Sequence, residues 1–144
     1  MTYEEMTMTD PQPLKLLFIC RHNAVRSQVA EVLANNISHG KVRAYSAGAD
    51  VQPVPDYIQQ WAAQFDTQNE PLSSTPMQQF ENEQFNMVIT LCDKSHQALP
   101  EISSDHDHIR WDFHHPDDAE SLKHLEIELA ERLRLMFLAK GIIR

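Results

Sequence analysis

The chain alternates short, almost continuously apolar runs with segments whose apolar residues recur every three or four positions, and no other feature constrains its fold as strongly. A run without a polar face suits a β-strand that is covered on both sides. Strands of that kind, separated by helices, predict an α/β fold with a parallel sheet flanked by helices on both sides. The strand candidates are LKLLFIC from Leu14, KVRAYSAG from Lys41, QFNMVITLCD from Gln84 and, as a weaker case, HIRWDF from His108.

Three segments carry the helical period. The first covers Ser27–Ile37, the second begins at about Asp56, and the third begins at about Ala119 and repeats leucine at steps of three and four. The first thirteen residues are polar, contain two prolines and show no period. We therefore expect residues 1–13 to form a flexible tail and residues 14–144 to form one domain.

Composition and charge narrow the functional classes. The 144 residues, 42% apolar and 23% charged, suit one globular domain. A formal net charge of −9 argues against nucleic-acid binding and disfavours acidic protein substrates, but a small anion remains compatible with it. There is no apolar run near the roughly 20 residues of a membrane helix and no signal-peptide pattern, so we expect a cytoplasmic protein without a membrane partner.

The stretch CRHNAVRS, from Cys20 to Ser27, connects the first strand candidate to the first helix candidate. A loop in that position points backbone N–H groups at one spot, and the helix N-terminus adds roughly half a positive charge, so such loops bind tetrahedral oxyanions. Arg26 would add a planar, two-pronged donor for the same anion. A cysteine in this field forms a thiolate readily, and Ser27 can donate a hydrogen bond to it. The spacing predicts a nucleophilic Cys20 beside an oxyanion held by the loop: Arg21, His22, Asn23, Ala24, Val25 and Arg26.

The alternative for Cys20 is a small apolar side chain that ends a strand, as many buried cysteines are. Its position between an apolar strand and a helix, with Ser27 following the arginine, favours the nucleophile. The other cysteine, Cys92, also follows a strand candidate. Two cysteines are too few for a disulfide scaffold and are more typical of reactive or redox thiols in a cytosolic protein.

The stretch LLFICRHNAVRSQVAE resembles the active-site loop of the low-molecular-weight protein tyrosine phosphatases and of the arsenate reductases that share their fold. The family pattern of cysteine, asparagine, arginine and serine falls on Cys20, Asn23, Arg26 and Ser27. YSAG, PVP and FNMVITLCD follow in the family's order, so the resemblance runs from about residue 14 to the C-terminus. It implies a four-stranded parallel sheet, Cys20 as nucleophile, Arg26 as oxyanion ligand, and Asn23 and Ser46 as hydrogen-bonding supports of the loop.

The two branches of the family use the thiolate differently. A phosphatase forms a phosphocysteine and needs an acid to protonate the leaving alcohol. An arsenate reductase forms a thiol–arsenate adduct that a second thiol attacks, leaving arsenite and a disulfide. VITLCD resembles the reductase stretch with the second redox cysteine, which would be Cys92, although a buried core thiol is the alternative. The segments ADVQPVP and DDAE also lack the aromatic walls of the phosphotyrosine enzymes. We therefore expect arsenate reduction first and hydrolysis of phosphate monoesters second.

Two positions depart from the family pattern. Thioredoxin-coupled reductases carry a third cysteine where this chain has Leu99, so Cys20 and Cys92 would pair with each other or an external thiol would resolve the adduct. We therefore expect no bound cofactor, but an external reductant, glutathione with glutaredoxin or thioredoxin, and with it a redox protein partner. The family's acid precedes a proline, and this chain has His115 there. An imidazole exchanges protons near neutral pH, and the alternative acids are nearby aspartates: Asp112, Asp117 and Asp118.

Two further hypotheses remain open. The stretch DHDHIRWDFHH clusters histidines with aspartates, but no zinc-type spacing is present, and we expect no metal site. The chain could also be a non-catalytic oxyanion or phosphoprotein sensor that keeps the loop after losing the aspartate. That hypothesis predicts phosphate or sulfate binding without turnover, and activity gained by His115→Asp.

Overall fold

The structure, a computed structural model, describes residues 13–65, 70–92, 107–113, 115–116 and 118–143. Within these ranges, eight elements follow one another: β1 (Leu14–Cys20), α1 (Arg26–Ile37), β2 (Val42–Gly48), α2 (Asp56–Ala62), a 3-10 helix (Met77–Phe80), β3 (Met87–Thr90), β4 (Asp107–Arg110) and α3 (Ala119–Ala139). The expected tail falls almost wholly outside the described residues, and the domain boundary stays a prediction.

The four strands form one parallel sheet in the order β2-β1-β3-β4, which confirms the predicted fold class. β1 lies in the interior of the sheet, and its last five residues are buried, as expected for a strand covered on both faces. The register pairs Cys20 with Gly48 and Ile19 with Thr90. All strands therefore end at the same edge, where ligands collect in open parallel sheets.

Two apolar clusters cover the two faces of the sheet. Alternate residues of β1 enter different clusters: Phe18 and Cys20 pack with the three α-helices, whereas Leu17 and Ile19 pack with Met77 of the 3-10 helix. The alternation follows from the two-residue period of a strand. α3 closes the helical side with fully buried side chains, among them Leu129, Leu133 and Phe137.

The predicted bounds hold for β1 and, within one residue, for β2, but β3 covers only Met87–Thr90 of the predicted stretch QFNMVITLCD, and β4 ends at Arg110, before the last three residues of HIRWDF. α1 begins one residue earlier than predicted, at Arg26. α2 begins at Asp56, as predicted, and ends at Ala62, beyond which the amides of Gln64 and Phe65 bond to carbonyls three residues back and tighten the last turn. α3 ends before Gly141, whose φ of 73° reverses the chain, as its sequence position predicts. Within the described ranges, no helix is long and apolar enough to cross a membrane.

Candidate active site

Cys20 ends β1 with its thiol buried against the first residues of α1. Its Sγ lies 3.0 Å from Ser27 Oγ, and both residues are almost fully buried. Asn23 Nδ2 donates to the same hydroxyl oxygen at 2.7 Å. Because that oxygen accepts from the amide, its own proton can point to the sulfur. Ser27 therefore supplies a hydrogen-bond donor to the Cys20 sulfur.

We call residues 20–27 the oxyanion loop, and Asn23 shapes it. Asn23 is buried and adopts a left-handed conformation with φ of 50°, which asparagine tolerates better than most residues. Its Oδ1 accepts from the amide of Thr75 at 2.7 Å, and its carbonyl accepts from Gln28 Nε2 at 2.9 Å and Ser74 Oγ at 3.0 Å. Asn23 thus joins the oxyanion loop to a distant segment.

The carbonyl groups of the oxyanion loop are held on its outer side. The carbonyl of Arg21 accepts from the amide of Asp50 at 2.8 Å, and that of His22 accepts from the amide of Gln52 at 3.0 Å. The N–H of a planar trans peptide points opposite to its carbonyl. The amides that follow these carbonyls therefore point away from the neighbouring segments, as an anion-binding nest requires.

Gly48, at the end of β2, allows this close packing. A Cβ atom at Gly48 would lie 2.8 Å from the backbone nitrogen of Asn23 and 2.9 Å from the carbonyl carbon of His22. The amide of Gly48 also donates to the carbonyl of Thr75 at 2.9 Å. Only a glycine lets the strand end approach the oxyanion loop this closely.

Arg26 opens α1 and has a donor left over for an anion. Its Nη1 donates to the carbonyl of Phe113 at 3.0 Å, which links α1 to the segment after β4. Its Nε is buried and has no hydrogen-bond partner within the described part of the chain. A buried donor without a partner is costly, and a tetrahedral oxyanion in the loop would satisfy it.

Ser46 contacts α1, not the oxyanion loop. Its hydroxyl donates to Glu31 Oε1 at 3.0 Å. In the register of β1 and β2, Ser46 lies opposite Phe18, two residues before Cys20 and the start of the loop. Any support that Ser46 gives to the loop therefore acts through α1. Gln28 and Ser74, whose side chains bond directly to the carbonyl of Asn23, were not predicted as site residues. The hydroxyl-rich stretch SST before Pro76 was the sequence signal for the segment that carries Ser74.

Burial raises the pKa of the Glu31 carboxyl to about 7, although hydrogen bonds from Ser46 act in the opposite direction. The native state therefore holds a proton that the unfolded chain releases at lower pH, and this stability is lost as pH rises from about 4.5 through 7. Glu31→Gln cannot ionise and keeps the acceptor for Ser46. We expect its free energy of unfolding, relative to the unsubstituted chain, to rise by about 2–3 kcal/mol between pH 5 and pH 8.5.

Urea unfolding at both pH values measures this difference. Glu131→Gln, on the exposed side of α3, is the matched control and should show little change with pH. A difference for Glu31→Gln that stays the same at pH 5 and pH 8.5 would show that burial does not raise this pKa.

Cys92 lies two residues beyond β3, at the same edge of the sheet as Cys20. The amide of Leu91 donates to the carbonyl of Ile19 at 2.8 Å, so the next step of the register sets Leu91 beside Cys20. Cys92 follows directly, is partly buried, and packs against the apolar cluster that contains Cys20. The two cysteines thus approach one region of the molecule, whereas Leu99 lies outside the described residues.

His115 is exposed and lies beside the segment that holds Arg26. Phe113, His115 and Pro116 line a cavity of about 380 Å³ together with four residues of α3: Ser121, His124, Leu125 and Glu128. His115 therefore reaches solvent close to the partner of Arg26. The role of His115 as an acid stays a prediction.

The alternative acids differ in their contacts. Asp118 caps α3, and hydrogen bonds from Ser121 lower the pKa of its carboxyl, so it is a poor proton donor. Asp112 is exposed and 3.4 Å from Arg110 Nε. Asp117, like His106 and His114, falls outside the described residues. Across the part of the chain that is described, no three histidine, cysteine or acidic side chains form a group able to hold a metal ion.

Comparisons with known proteins agree with this geometry. The model of the low molecular weight phosphotyrosine protein phosphatase family matches residues 15–128. A glutaredoxin arsenate reductase from Synechocystis sp. is 26% identical over 103 residues, which cover 72% of this chain and 79% of that protein.

Two solved structures share the fold. An arsenate reductase in the phosphate binding state has a TM-score of 0.74 at 24% identity, over 88% of this chain and 98% of the other. A protein tyrosine phosphatase from Entamoeba histolytica has a TM-score of 0.72 at 14% identity, over 91% and 97% of the two chains. With a family model matched over most of its length and this fold, the chain belongs to the low molecular weight phosphotyrosine protein phosphatase family and is an enzyme of the kind that includes arsenate reductases and tyrosine phosphatases.

Proposed function

We propose that this enzyme reduces arsenate to arsenite. In the first step the thiolate of Cys20 attacks As(V), a sulfur–arsenic bond forms, and an arsenate oxygen leaves as water after protonation. Arg26 and the backbone amides of the oxyanion loop neutralise the charge of the oxyanion. Ser27 donates a hydrogen bond to the Cys20 sulfur, and His115 supplies the proton to the leaving oxygen.

In the second step a thiol of Cys92, as its thiolate, attacks the sulfur of Cys20. The sulfur–arsenic bond breaks, its electron pair stays on arsenic, and arsenite leaves as a Cys20–Cys92 disulfide forms. Two electrons pass from the two thiols to arsenic. An external thiol, glutathione with glutaredoxin or a thioredoxin, then reduces the disulfide, since Leu99 occupies the position of a third cysteine. A small thiol can also replace Cys92 in the attack.

One observation carries this proposal: Cys92 packs against the apolar cluster that contains Cys20. Cys92 also directly follows Leu91, the residue that the strand register sets beside Cys20. Hydrolysis through a phosphocysteine requires one thiol, whereas reduction requires a second one. The glutaredoxin arsenate reductase relative supports the same direction, as does the lack of aromatic residues in the segment ADVQPVP that follows β2.

The experiment is arsenite production from arsenate, measured with glutathione and glutaredoxin and, separately, with thioredoxin and its reductase. We expect Cys92→Ser to lower turnover by roughly tenfold or more when only dithiol reductants are present, and free glutathione to restore part of it. If Cys92→Ser turned over arsenate as fast as the unsubstituted protein with and without free glutathione, the role of Cys92 would be contradicted. Arsenite production no faster than that of Cys20→Ser would contradict reduction itself.

A phosphatase is the second candidate, because a loop built to bind arsenate suits phosphate equally and His115 lies beside the segment that binds Arg26. In that case Cys20 forms a phosphocysteine and His115 protonates the leaving alcohol. Hydrolysis of p-nitrophenyl phosphate distinguishes the two. Steady turnover that survives Cys92→Ser but not Cys20→Ser, without arsenite production, would favour the phosphatase.

A further inference from the structure

His22, the third residue of the oxyanion loop, makes a side-chain contact that anion binding by backbone amides does not require. Its Nδ1 lies 2.8 Å from the backbone carbonyl oxygen of Asp50. A carbonyl oxygen only accepts hydrogen bonds, so Nδ1 carries the proton in this contact. The ring therefore connects the loop to residues 49–52, which we call the border segment.

The border segment also holds the loop by its backbone. The amide of Asp50 donates to the carbonyl of Arg21 at 2.8 Å, while the carbonyl of Asp50 accepts from the His22 ring. The amide of Gln52 donates to the carbonyl of His22 at 3.0 Å. Both the N–H and the carbonyl of Asp50 are therefore hydrogen-bonded to the oxyanion loop. The border segment begins directly after Gly48, which pairs with Cys20, so it lies at the sheet edge where the anion would bind.

A third segment supports the border segment from another direction. The hydroxyl of Ser74 contacts the carbonyl of Gln52 and also lies 3.0 Å from the carbonyl of Asn23. The border segment is therefore bonded both to the loop and to a residue that bonds to the loop. Within the border segment Ala49 packs against the apolar cluster that contains Ile19, whereas Val51 is exposed, and the hydrogen bonds described above involve Asp50 and Gln52.

We propose that His22 is a positioning residue, which fixes the border segment and through it the peptide planes that bind the oxyanion. The two border amides hold the carbonyls of Arg21 and His22 on the outer side of the loop. If the border segment moved, these peptides could rotate and turn their N–H groups away from the anion. A loop that is already ordered binds more tightly, because less conformational entropy is lost on binding.

The inference rests on the proposed function only in that the loop binds an oxyanion. Its test uses two substitutions of one residue. His22→Ala removes the ring donor. His22→Asn restores it, because the asparagine Nδ2 takes about the position of the imidazole Nδ1 and also donates to a carbonyl. Thermal unfolding of both variants establishes that each is folded before the comparison.

Hydrogen exchange, followed by NMR without ligand, reads out the border segment directly. We expect the amides of Asp50 and Gln52 to exchange about tenfold faster in His22→Ala and to return toward their original rates in His22→Asn. The amide of Val29, bonded to Val25 in the first turn of α1, is the internal reference and should not change. Unchanged exchange in His22→Ala, or equal acceleration in both variants, would overturn the inference.

Binding of inorganic phosphate, measured by calorimetry, reads out the loop. We expect affinity to fall about threefold to tenfold in His22→Ala, a loss of the size that one hydrogen bond supplies, and to recover in His22→Asn. Faster exchange with unaltered phosphate affinity would overturn the positioning role. If the unsubstituted chain bound no phosphate but showed the exchange pattern, the proposed function would fail while the contact of His22 with the border segment stood.

Discussion

Cys20→Ser should lower arsenate turnover and p-nitrophenyl phosphate hydrolysis by on the order of a thousandfold or more. Serine has nearly the same shape and can keep a hydrogen bond with Ser27, so the fold should persist. A hydroxyl, unlike a thiol, is not ionised at neutral pH and cannot form a disulfide. Arsenite release and nitrophenol release, measured on the same preparation, give the two rates.

Phosphate affinity is the control for this substitution. The backbone amides of the loop and Arg26 are unchanged in Cys20→Ser, so the dissociation constant of inorganic phosphate should stay within a few-fold of its original value. Loss of turnover with retained phosphate binding assigns Cys20 to the chemical step. Turnover above about 1% of the original rate would show that the nucleophile lies elsewhere.

Gly48→Ala should be strongly destabilising although it adds only one methyl group. The new Cβ would meet the backbone of His22 and Asn23 at 2.8–2.9 Å, and backbone atoms inside a bonded loop cannot move aside cheaply. We expect the free energy of unfolding to fall by about 2–3 kcal/mol and phosphate affinity to fall at least tenfold. Urea unfolding and phosphate calorimetry measure the two effects.

Gly40→Ala is the matched control, because it adds the same methyl group in open space. No atom lies within 4 Å of a Cβ at Gly40, but its φ of 87° disfavours any side chain. We expect a loss of about 1 kcal/mol and unaltered phosphate binding. If Gly48→Ala behaved like Gly40→Ala, the close approach of β2 to the oxyanion loop would not matter for the site.

The sequence predicts those parts of the site that depend on neighbours in the chain. The apolar run of β1, the spacing from Cys20 to Arg26 and the helical period of α1 lie within one stretch, and each is a local pattern. The contact between Cys20 and Ser27 follows from that stretch, since a loop leading into a helix brings the eighth residue back to the first. The parallel sheet follows from the apolar character of the strands.

The remaining parts depend on contacts between distant residues that leave no periodic pattern. Asn23 meets Thr75 across 52 positions, and Arg26 meets Phe113 across 87. The contact of Ser46 could not be predicted for the same reason. The partner of its side chain depends on which face of β2 is covered by α1. On the α1 side its hydroxyl meets Glu31, which the sequence analysis did not single out.

The central claim is that Cys20 and Cys92 together deliver two electrons to arsenate. Mass spectrometry of the reduced, unsubstituted protein after one arsenate turnover, without external thiol, tests it most directly. We predict one arsenite per chain, a mass lower by the two thiol hydrogens, and a disulfide-linked peptide pair containing Cys20 and Cys92. Two thiols that remain reduced after arsenate treatment, in a protein that releases phosphate from p-nitrophenyl phosphate, would contradict the claim.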